Sequence, residues 1–128
     1  KIRVLEVASF YSMFNLEPVG KNLVQLCRTT PCWLRGSDDQ RAVAAEVTGC
    51  GLCETSGDDQ FTVVEVECLG ACCNAPVMQI NDDYYEDLTA ESFRAVLEAL
   101  KRGETLSAGS QAGRKGSEPI SLTSAGDD

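Results

Sequence analysis

Seven cysteines are the residues of this sequence best suited to chemistry. Six of them form three closely spaced pairs, in which the members are separated by two to four residues: Cys27 and Cys32, Cys50 and Cys53, Cys68 and Cys72. The chain has no histidine, which excludes Cys₂His₂ zinc fingers, Rieske centres and histidine-assisted nucleophiles. An odd number of cysteines also excludes a complete set of intramolecular disulfides. Clustered cysteines in this pattern therefore indicate a metal site.

Two sets of four thiolates can be drawn from these pairs. In the first, Cys27 with Cys32 and Cys68 with Cys72 each follow a predicted strand. If the two strands are neighbours, four sulfurs converge, which is the number that a 2Fe–2S cluster needs. The second set replaces the first pair with Cys50 and Cys53, and its C-x₂-C-x₁₄-C-x₃-C spacing is close to that of a zinc ribbon. The spacing favours the cluster and leaves zinc open.

The residues between the proposed cluster ligands also suit such a site. Gly70 and Ala71 would let the backbone approach inorganic sulfide, and the two threonines at positions 29 and 30 offer hydroxyl and amide donors. Pro31 stiffens the turn before Cys32. Cys50 and Cys53 are interpreted as loop cysteines that bind nothing, and Cys73 as a small core residue.

Composition limits the class of protein. The 128 residues carry 20 acidic and 11 basic side chains, a formal net charge of −9. This balance argues against binding to nucleic acid or to an anionic membrane surface. No apolar run approaches the roughly 20 residues of a membrane-spanning helix. The sequence begins Lys-Ile-Arg, without signal-peptide features, so a reducing compartment is expected.

The apolar pattern predicts a small α/β domain with the order β-α-β-β-α over residues 22–102. Strands are predicted at 22–27 and 61–68, and a hairpin at 77–81 and 84–88. One helix is predicted over 37–48, where Ser37 and Gln40 would form a capping box and Gly49 would end the helix. The other is predicted over 90–102, because Phe93, Val96, Leu97 and Leu100 share one face and Thr89 can cap it.

The two ends of the chain are predicted to lie outside this domain. Residues 1–20 contain a short helix, over 1–14, which is apolar on two sides and should pack against something. It suggests the end of a longer helical region. Residues 104–128 are rich in Gly and Ser and have almost no apolar periodicity, so a tail that orders only on a partner is expected. The folded domain is therefore assigned to residues 21–103.

Four segments of the sequence resemble the thioredoxin-like 2Fe–2S ferredoxin subunit of NADH:quinone oxidoreductase, respiratory complex I. They are Cys27-Arg-Thr-Thr-Pro-Cys-Trp-Leu-Arg-Gly36, Val66-Glu-Cys-Leu-Gly-Ala-Cys72, Asn74-Ala-Pro76 and Ile80-Asn-Asp-Asp-Tyr-Tyr-Glu-Asp-Leu88. Residues 7–14 resemble the end of that subunit's N-terminal helical region. The family's upstream helices are absent here, and the tail lacks the Gly-Gly pair expected before Leu122-Thr-Ser124.

The resemblance implies a thioredoxin-like fold and one 2Fe–2S cluster. The family's ligands match Cys27, Cys32, Cys68 and Cys72, which removes most of the weight of the zinc alternative. The implied partner is a flavoprotein subunit that binds FMN and NADH, beside other subunits of the peripheral arm. The chain would exchange electrons with that FMN and would have no catalytic site of its own. Its implied place is the cytoplasmic side of a bacterial inner membrane or the matrix side of the mitochondrial one, without membrane insertion.

Two alternatives follow from the same residues. NAD-linked formate dehydrogenases and NAD-reducing hydrogenases have related small 2Fe–2S subunits, and the four ligands alone do not distinguish them from complex I. The segments at 10–14 and 84–88 favour complex I. A structural zinc module that serves only in assembly is the alternative of a different class.

Overall fold

The fold is taken from a computed structural model, which describes residues 1–119. It contains four helices and six strands in this range. The helices are α1 (Ile2–Phe10), α2 (Thr30–Leu34), α3 (Ser37–Thr48) and α4 (Ala90–Lys101). The strands are β1 (Asn22–Cys27), β2 (Glu54–Thr55), β3 (Phe61–Val66), β4 (Met78–Ile80), β5 (Asp83–Glu86) and β6 (Gly109–Ser110). A single 3₁₀ turn lies at Cys72–Asn74.

The strands form one mixed sheet in the order β2-β3-β1-β4-β5-β6. β1 and β3 are parallel neighbours, with Asn22 opposite Phe61 and Cys27 opposite Val66. A parallel pair requires a crossover connection, which α3 provides. β4 and β5 form the predicted hairpin. The predicted α/β class is therefore confirmed. The predicted helices and strands are present, but α2 and β2 also lie between β1 and β3, so the predicted order β-α-β-β-α is incomplete.

The core lies between the sheet and the pair of helices α3 and α4. The aromatic side chains of Phe61 and Phe93 are fully buried there with Leu97. The burial follows the predicted pattern, since the apolar face of α4 lies inward and its charged face lies outward. α3 contributes Val43 and Ala44, whose small side chains allow close packing against α4.

The start of α3 differs from the prediction. Gly36 occupies the N-cap position with a left-handed φ of +92°, and no side chain caps this helix. Ser37 and Gln40 lie inside the helix and are buried, and the Gln40 side chain donates a hydrogen bond to the carbonyl of Leu88. The predicted capping box is therefore wrong. Gly36 can adopt the left-handed conformation at the N-cap position, so Ser37 becomes the first residue inside the helix.

At the start of α4 the predicted cap is present. The Thr89 hydroxyl accepts a hydrogen bond from the backbone N–H of Ser92, and the Ser92 hydroxyl accepts one from the N–H of Thr89. We expect Thr89→Ala to lower the free energy of unfolding by about 1 kcal/mol, because it leaves an N–H of the first turn without an acceptor. Urea denaturation checks this. Thr105→Ala, at an exposed position, is the control, and equal losses in both variants would contradict the prediction.

No residue of helix α1 is buried against the described part of the chain, residues 1–119. Ile2, Phe10 and the following Met13 are all largely exposed. The helix ends at Phe10, four residues before the predicted end, and residues 11–14 form turns. The expectation that this apolar helix packs against something stays a prediction.

The proximal part of the tail differs from the expectation. Over residues 104–119 it folds back on the domain: β6 extends the sheet beside β5, with Gly109 opposite Tyr85, and the N–H of Gln111 donates to the carbonyl of Glu86. Backbone pairing orders a segment without apolar periodicity, which is why the sequence pattern did not indicate it. The prediction for the tail extends to residue 128, and its part beyond residue 119 lies outside the described residues.

Candidate metal centre

The parallel pair β1 and β3 brings two cysteine-bearing loops to one edge of the sheet. Cys27 is the last residue of β1 and lies opposite Val66, the last residue of β3. Cys68 follows two residues later. Because neighbouring parallel strands end on the same side of a sheet, both loops leave the domain at the same place.

Cys32 lies on α2, where the sequence predicted only a turn-rich loop. Thr29 is the N-cap and Pro31 lies in the first turn, a position that proline favours because its missing N–H has no partner there in any case. The short helix turns Cys32 inward, where it is buried with Cys27, Ala75 and Val77. One pair of thiols is therefore buried beneath the protein surface.

The other pair lies at the surface. Gly70 adopts a left-handed φ of +83°, which a glycine adopts at little cost. Its N–H donates to Cys68 Sγ over 3.4 Å. Cys72 begins the 3₁₀ turn, and its Sγ lies 3.3 Å from Cys68 Sγ. The predicted approach of the Gly70 backbone to inorganic sulfide stays a prediction, and the Gly70 N–H instead contacts a cysteine sulfur.

The surroundings act in opposite directions on the two buried thiols. Burial raises the pKa of Cys27. Hydrogen bonds from the Thr29 hydroxyl and from the N–H groups of Thr29 and Leu69 together lower it by more, so its pKa lies below the ordinary value. Burial raises the pKa of Cys32 to about 12, and the neighbouring thiolates of Cys27 and Cys72 add to this. The surroundings therefore favour the thiolate at Cys27 and the neutral thiol at Cys32.

The exposed thiols divide in the same way. The Gly70 N–H and the Cys72 thiol hold the pKa of Cys68 below its ordinary value. Hydrogen bonding to Cys68, burial and the Cys68 charge raise the pKa of Cys72. The groups that shift these four pKa values include the four cysteines themselves and neither Cys50 nor Cys53. The four thiols are therefore one electrostatic unit.

The donor set of the four thiols suits a 2Fe–2S core, which would divide four thiolates between two irons. A zinc ion would take four thiolates at about 2.3 Å from one point. Among residues 1–119, no group of three or more Cys, Asp or Glu side chains converges closely enough to hold a single metal ion. A hydroxyl group lies close to Cys27 Sγ and an N–H donor lies close to Cys68 Sγ.

The alternative zinc set is not brought together. Cys50 is buried in the main core, where its Sγ contacts the Thr48 hydroxyl at 3.2 Å. The N–H of Cys53 donates to the carbonyl of Val63, so Cys53 lies beside the middle of β3, whereas Cys68 comes after the strand has ended. Cys73 is exposed, so the prediction that it is a core residue is wrong, because the 3₁₀ turn directs it outward from the domain.

An ion-pair network supports the loop of Cys27 and Cys32. Arg28 donates to Glu65 at 2.6 Å and to Asp38 at 2.8 Å. Asp38 also accepts from the indole N–H of Trp33 at 3.0 Å. The network joins this loop to α3 and to β3, the strand from which the Cys68–Cys72 loop leaves.

Other supporting residues could not be identified from the sequence as parts of the site. Tyr84 donates its hydroxyl to the carbonyl of Leu69 at 2.8 Å, which fixes the loop between Cys68 and Cys72. The Asn74 side chain and the carbonyl of Cys73 both contact Arg114, a residue of the tail. Tyr84 and Asn74 belong to segments that resembled the family, but nothing in their spacing indicated these contacts.

Comparisons with known proteins agree with this geometry. The sequence profile of the thioredoxin-like 2Fe-2S ferredoxins matches residues 1–101. An NADH-quinone oxidoreductase subunit of Rickettsia bellii is 58% identical over 100 residues, which cover 78% of this chain and 60% of that protein. The mitochondrial NADH dehydrogenase (ubiquinone) flavoprotein 2 of Dictyostelium discoideum is 51% identical over 113 residues, 88% of this chain and 46% of that protein.

Solved structures share the fold at lower identity. A thioredoxin-like 2Fe-2S ferredoxin from Aquifex aeolicus superposes with a TM-score of 0.54 and 21% identity, over 69% of this chain and 87% of that one. An air-oxidized NAD⁺-reducing NiFe-hydrogenase superposes with a TM-score of 0.72 and 19% identity, over 78% of this chain and 18% of that one. In residues 1–119 we find no helix with the length and apolar character needed to span a bilayer.

Proposed function

Since the chain belongs to the thioredoxin-like 2Fe-2S ferredoxin family, we propose that it is an electron-transfer subunit of NADH:quinone oxidoreductase. In this proposal it carries one 2Fe–2S cluster, which exchanges electrons with the FMN of an NADH-binding partner subunit. The proposed ligands are the four cysteines that form one electrostatic unit: Cys27, Cys32, Cys68 and Cys72. The chain spans about 60% of the length of its relative in Rickettsia bellii, and the activity for which that relative is named supports the proposal.

The single observation that carries the proposal is that the parallel pair β1 and β3 brings the Cys27–Cys32 and Cys68–Cys72 loops to one edge of the sheet. A 2Fe–2S cluster supplies one-electron transfer when it is bound. Four thiols of the chain would hold the cluster. Two of them lie below the protein surface and two lie at the surface. Donors from Thr29 and Gly70 neutralise part of the thiolate charge. The exposed pair places the site where a partner can approach.

Metal content tests the cluster directly. We expect the chain, reconstituted anaerobically with iron and sulfide, to bind two irons and two sulfides and to be red-brown, because four thiolates suit this core. Iron and sulfide analysis with a visible absorption spectrum provides the measurement. A colourless chain that retains one zinc ion would refute the cluster and support a structural assembly module.

The partner is tested by a reduction experiment. We expect NADH to reduce the reconstituted chain only when the FMN-binding subunit of the same complex is present, because we assign NADH and FMN binding to that subunit. Electron paramagnetic resonance of the reduced centre, with dithionite as the positive control, measures this. Reduction by NADH in the absence of both the partner and free flavin contradicts the proposal.

The alternative assemblies have less support. The likeness to the hydrogenase is limited to the fold, at 19% identity, whereas the relatives above 50% identity carry NADH dehydrogenase names. We therefore place the chain in complex I rather than in a formate dehydrogenase or hydrogenase. Its proposed position is peripheral, on the cytoplasmic side of a bacterial membrane or the matrix side of a mitochondrial one.

A further inference from the structure

The tail returns to the candidate metal centre through one side chain. Arg114 makes a forked ion pair with Asp87, with distances of 2.6 Å to Oδ1 and 3.0 Å to Oδ2. The same guanidinium donates to the carbonyl of Cys73 at 2.8 Å and to Asn74 Oδ1 at 2.7 Å. Cys73 follows Cys72 directly, so Arg114 is one residue away from a proposed ligand.

This ion pair differs from the others in its burial. The side chains of Arg114 and Asp87 are only 7% and 4% exposed, whereas the members of every other ion pair in residues 1–119 are at least 31% exposed. A buried pair is costly to assemble unless its remaining donors and acceptors are satisfied. Here they are, because Arg114 also donates to the carbonyl of Glu118 and Asp87 accepts from the Ser110 hydroxyl.

The network fixes the backbone at the end of the ligand loop. The Asn74 side chain donates to Glu86 at 2.6 Å and to the carbonyl of Gly116 at 2.7 Å. The N–H of Asp87 donates to the carbonyl of Asn74 at 2.7 Å. The 3₁₀ turn that begins at Cys72 is thereby bound on one side to β5 and on the other to the tail.

We propose that Arg114 is a positioning residue of the metal centre, which holds the Cys68–Cys72 loop in its ligating conformation through the carbonyl of Cys73 and the side chain of Asn74. The inference rests on the proposed ligand set. It assigns to the tail a role inside this chain, in addition to any contact with a partner. The guanidinium also offsets the charge of Asp87, which would otherwise be a buried anion lining the same cavity as Cys72.

Two substitutions separate geometry from charge. Arg114→Gln removes both the charge and most of the hydrogen bonds, whereas Arg114→Lys keeps the charge but cannot form the planar fork. Arg102→Gln is the matched control, because Arg102 makes a similar forked pair with Glu104 at the exposed end of α4. The reconstituted full chain is used in all cases, and iron release to a chelator, the g-values of the reduced centre and its midpoint potential are measured.

For Arg114→Gln we expect iron release that is roughly 10- to 100-fold faster, the range by which loss of an outer-shell partner weakens metal binding. We also expect altered g-values and a more negative potential, because the charge of Asp87 is no longer offset. For Arg114→Lys we expect faster release with a potential close to that of the wild type. Arg102→Gln is expected to leave all three quantities unchanged.

Each other outcome overturns the inference. If both variants match Arg102→Gln in release, g-values and potential, Arg114 does not position the site. If Arg114→Gln releases iron faster while its g-values and midpoint potential stay those of the wild type, Arg114 stabilises only the fold. If Arg114→Gln cannot be purified, Arg114→Lys decides the question. Iron release and g-values of this variant that equal those of the wild type would overturn the inference. A wild-type chain that binds no 2Fe–2S cluster removes the proposed function first, and this inference with it.

Discussion

Serine substitution of any one proposed ligand is expected to abolish or grossly alter the 2Fe–2S spectrum of the reconstituted chain: Cys27→Ser, Cys32→Ser, Cys68→Ser or Cys72→Ser. A 2Fe–2S core uses four thiolates, and no histidine is present to replace one. We expect iron bound per chain to fall by more than half in each variant. Iron and sulfide analysis after gel filtration provides the measurement.

The remaining three cysteines supply matched controls. Cys50→Ser, Cys53→Ser and Cys73→Ser are expected to retain the wild-type iron and sulfide content, since Cys50 is buried in the main core, Cys53 lies beside the middle of β3 and Cys73 is exposed. Cys50 is buried in the main core, so its substitution is expected to lower stability without removing iron. Loss of the metal from Cys50→Ser, with retention in Cys27→Ser, would favour the zinc-type set instead.

Truncation of Phe93 is expected to have the largest effect on stability. Phe93 is 0% exposed, on the inner face of α4 among the core side chains. Phe93→Ala removes an aromatic ring and leaves a cavity, for which the cost is about 3 to 5 kcal/mol. Because small domains are stable by only about 5 to 15 kcal/mol, a large part of the stability is lost. Urea denaturation followed by far-UV circular dichroism measures the change.

Phe10 provides the comparison for the same substitution. It is 80% exposed on α1, so we expect Phe10→Ala to change the free energy of unfolding of the chain by less than about 0.5 kcal/mol. A loss at Phe10 as large as that at Phe93 would show that α1 packs against the domain. It would contradict the exposed position of the helix.

Sequence patterns predicted the elements that bury regular apolar faces. α4 shows this most clearly, because Phe93, Val96 and Leu97 recur at helical spacing and Thr89 caps the first turn, as the structure confirms. The two-residue strands β2 and β6 were not predictable in this way, since a strand of two residues has no alternation to detect. α2 carries one local signal of a helix, Pro31 in its first turn.

In the candidate site, too, local features could be predicted from the sequence and long-range contacts could not. The thiols could be selected because cysteine chemistry and loop spacing are local properties of the sequence. The contact of Arg114 with Asp87 joins residues 27 positions apart, across a turn and a helix, and no periodicity encodes such a pair. Its detection requires the fold, because only the return of the tail along β5 brings the guanidinium to the Cys68–Cys72 loop.

The parallel pairing of β1 with β3 also has a consequence for the order of events during folding. Its register joins Asn22 to Phe61 and Cys27 to Val66, so the pairing forms only after the chain between the strands has closed as a crossover. Non-local parallel contacts of this kind form slowly, because loop closure precedes the gain in energy. In the unfolded chain the four proposed ligands are two separate dithiols, which the crossover would bring to one edge of the sheet. Metal bound by all four would then act as a cross-link between the two strands, which links the loading of the site to the completion of folding.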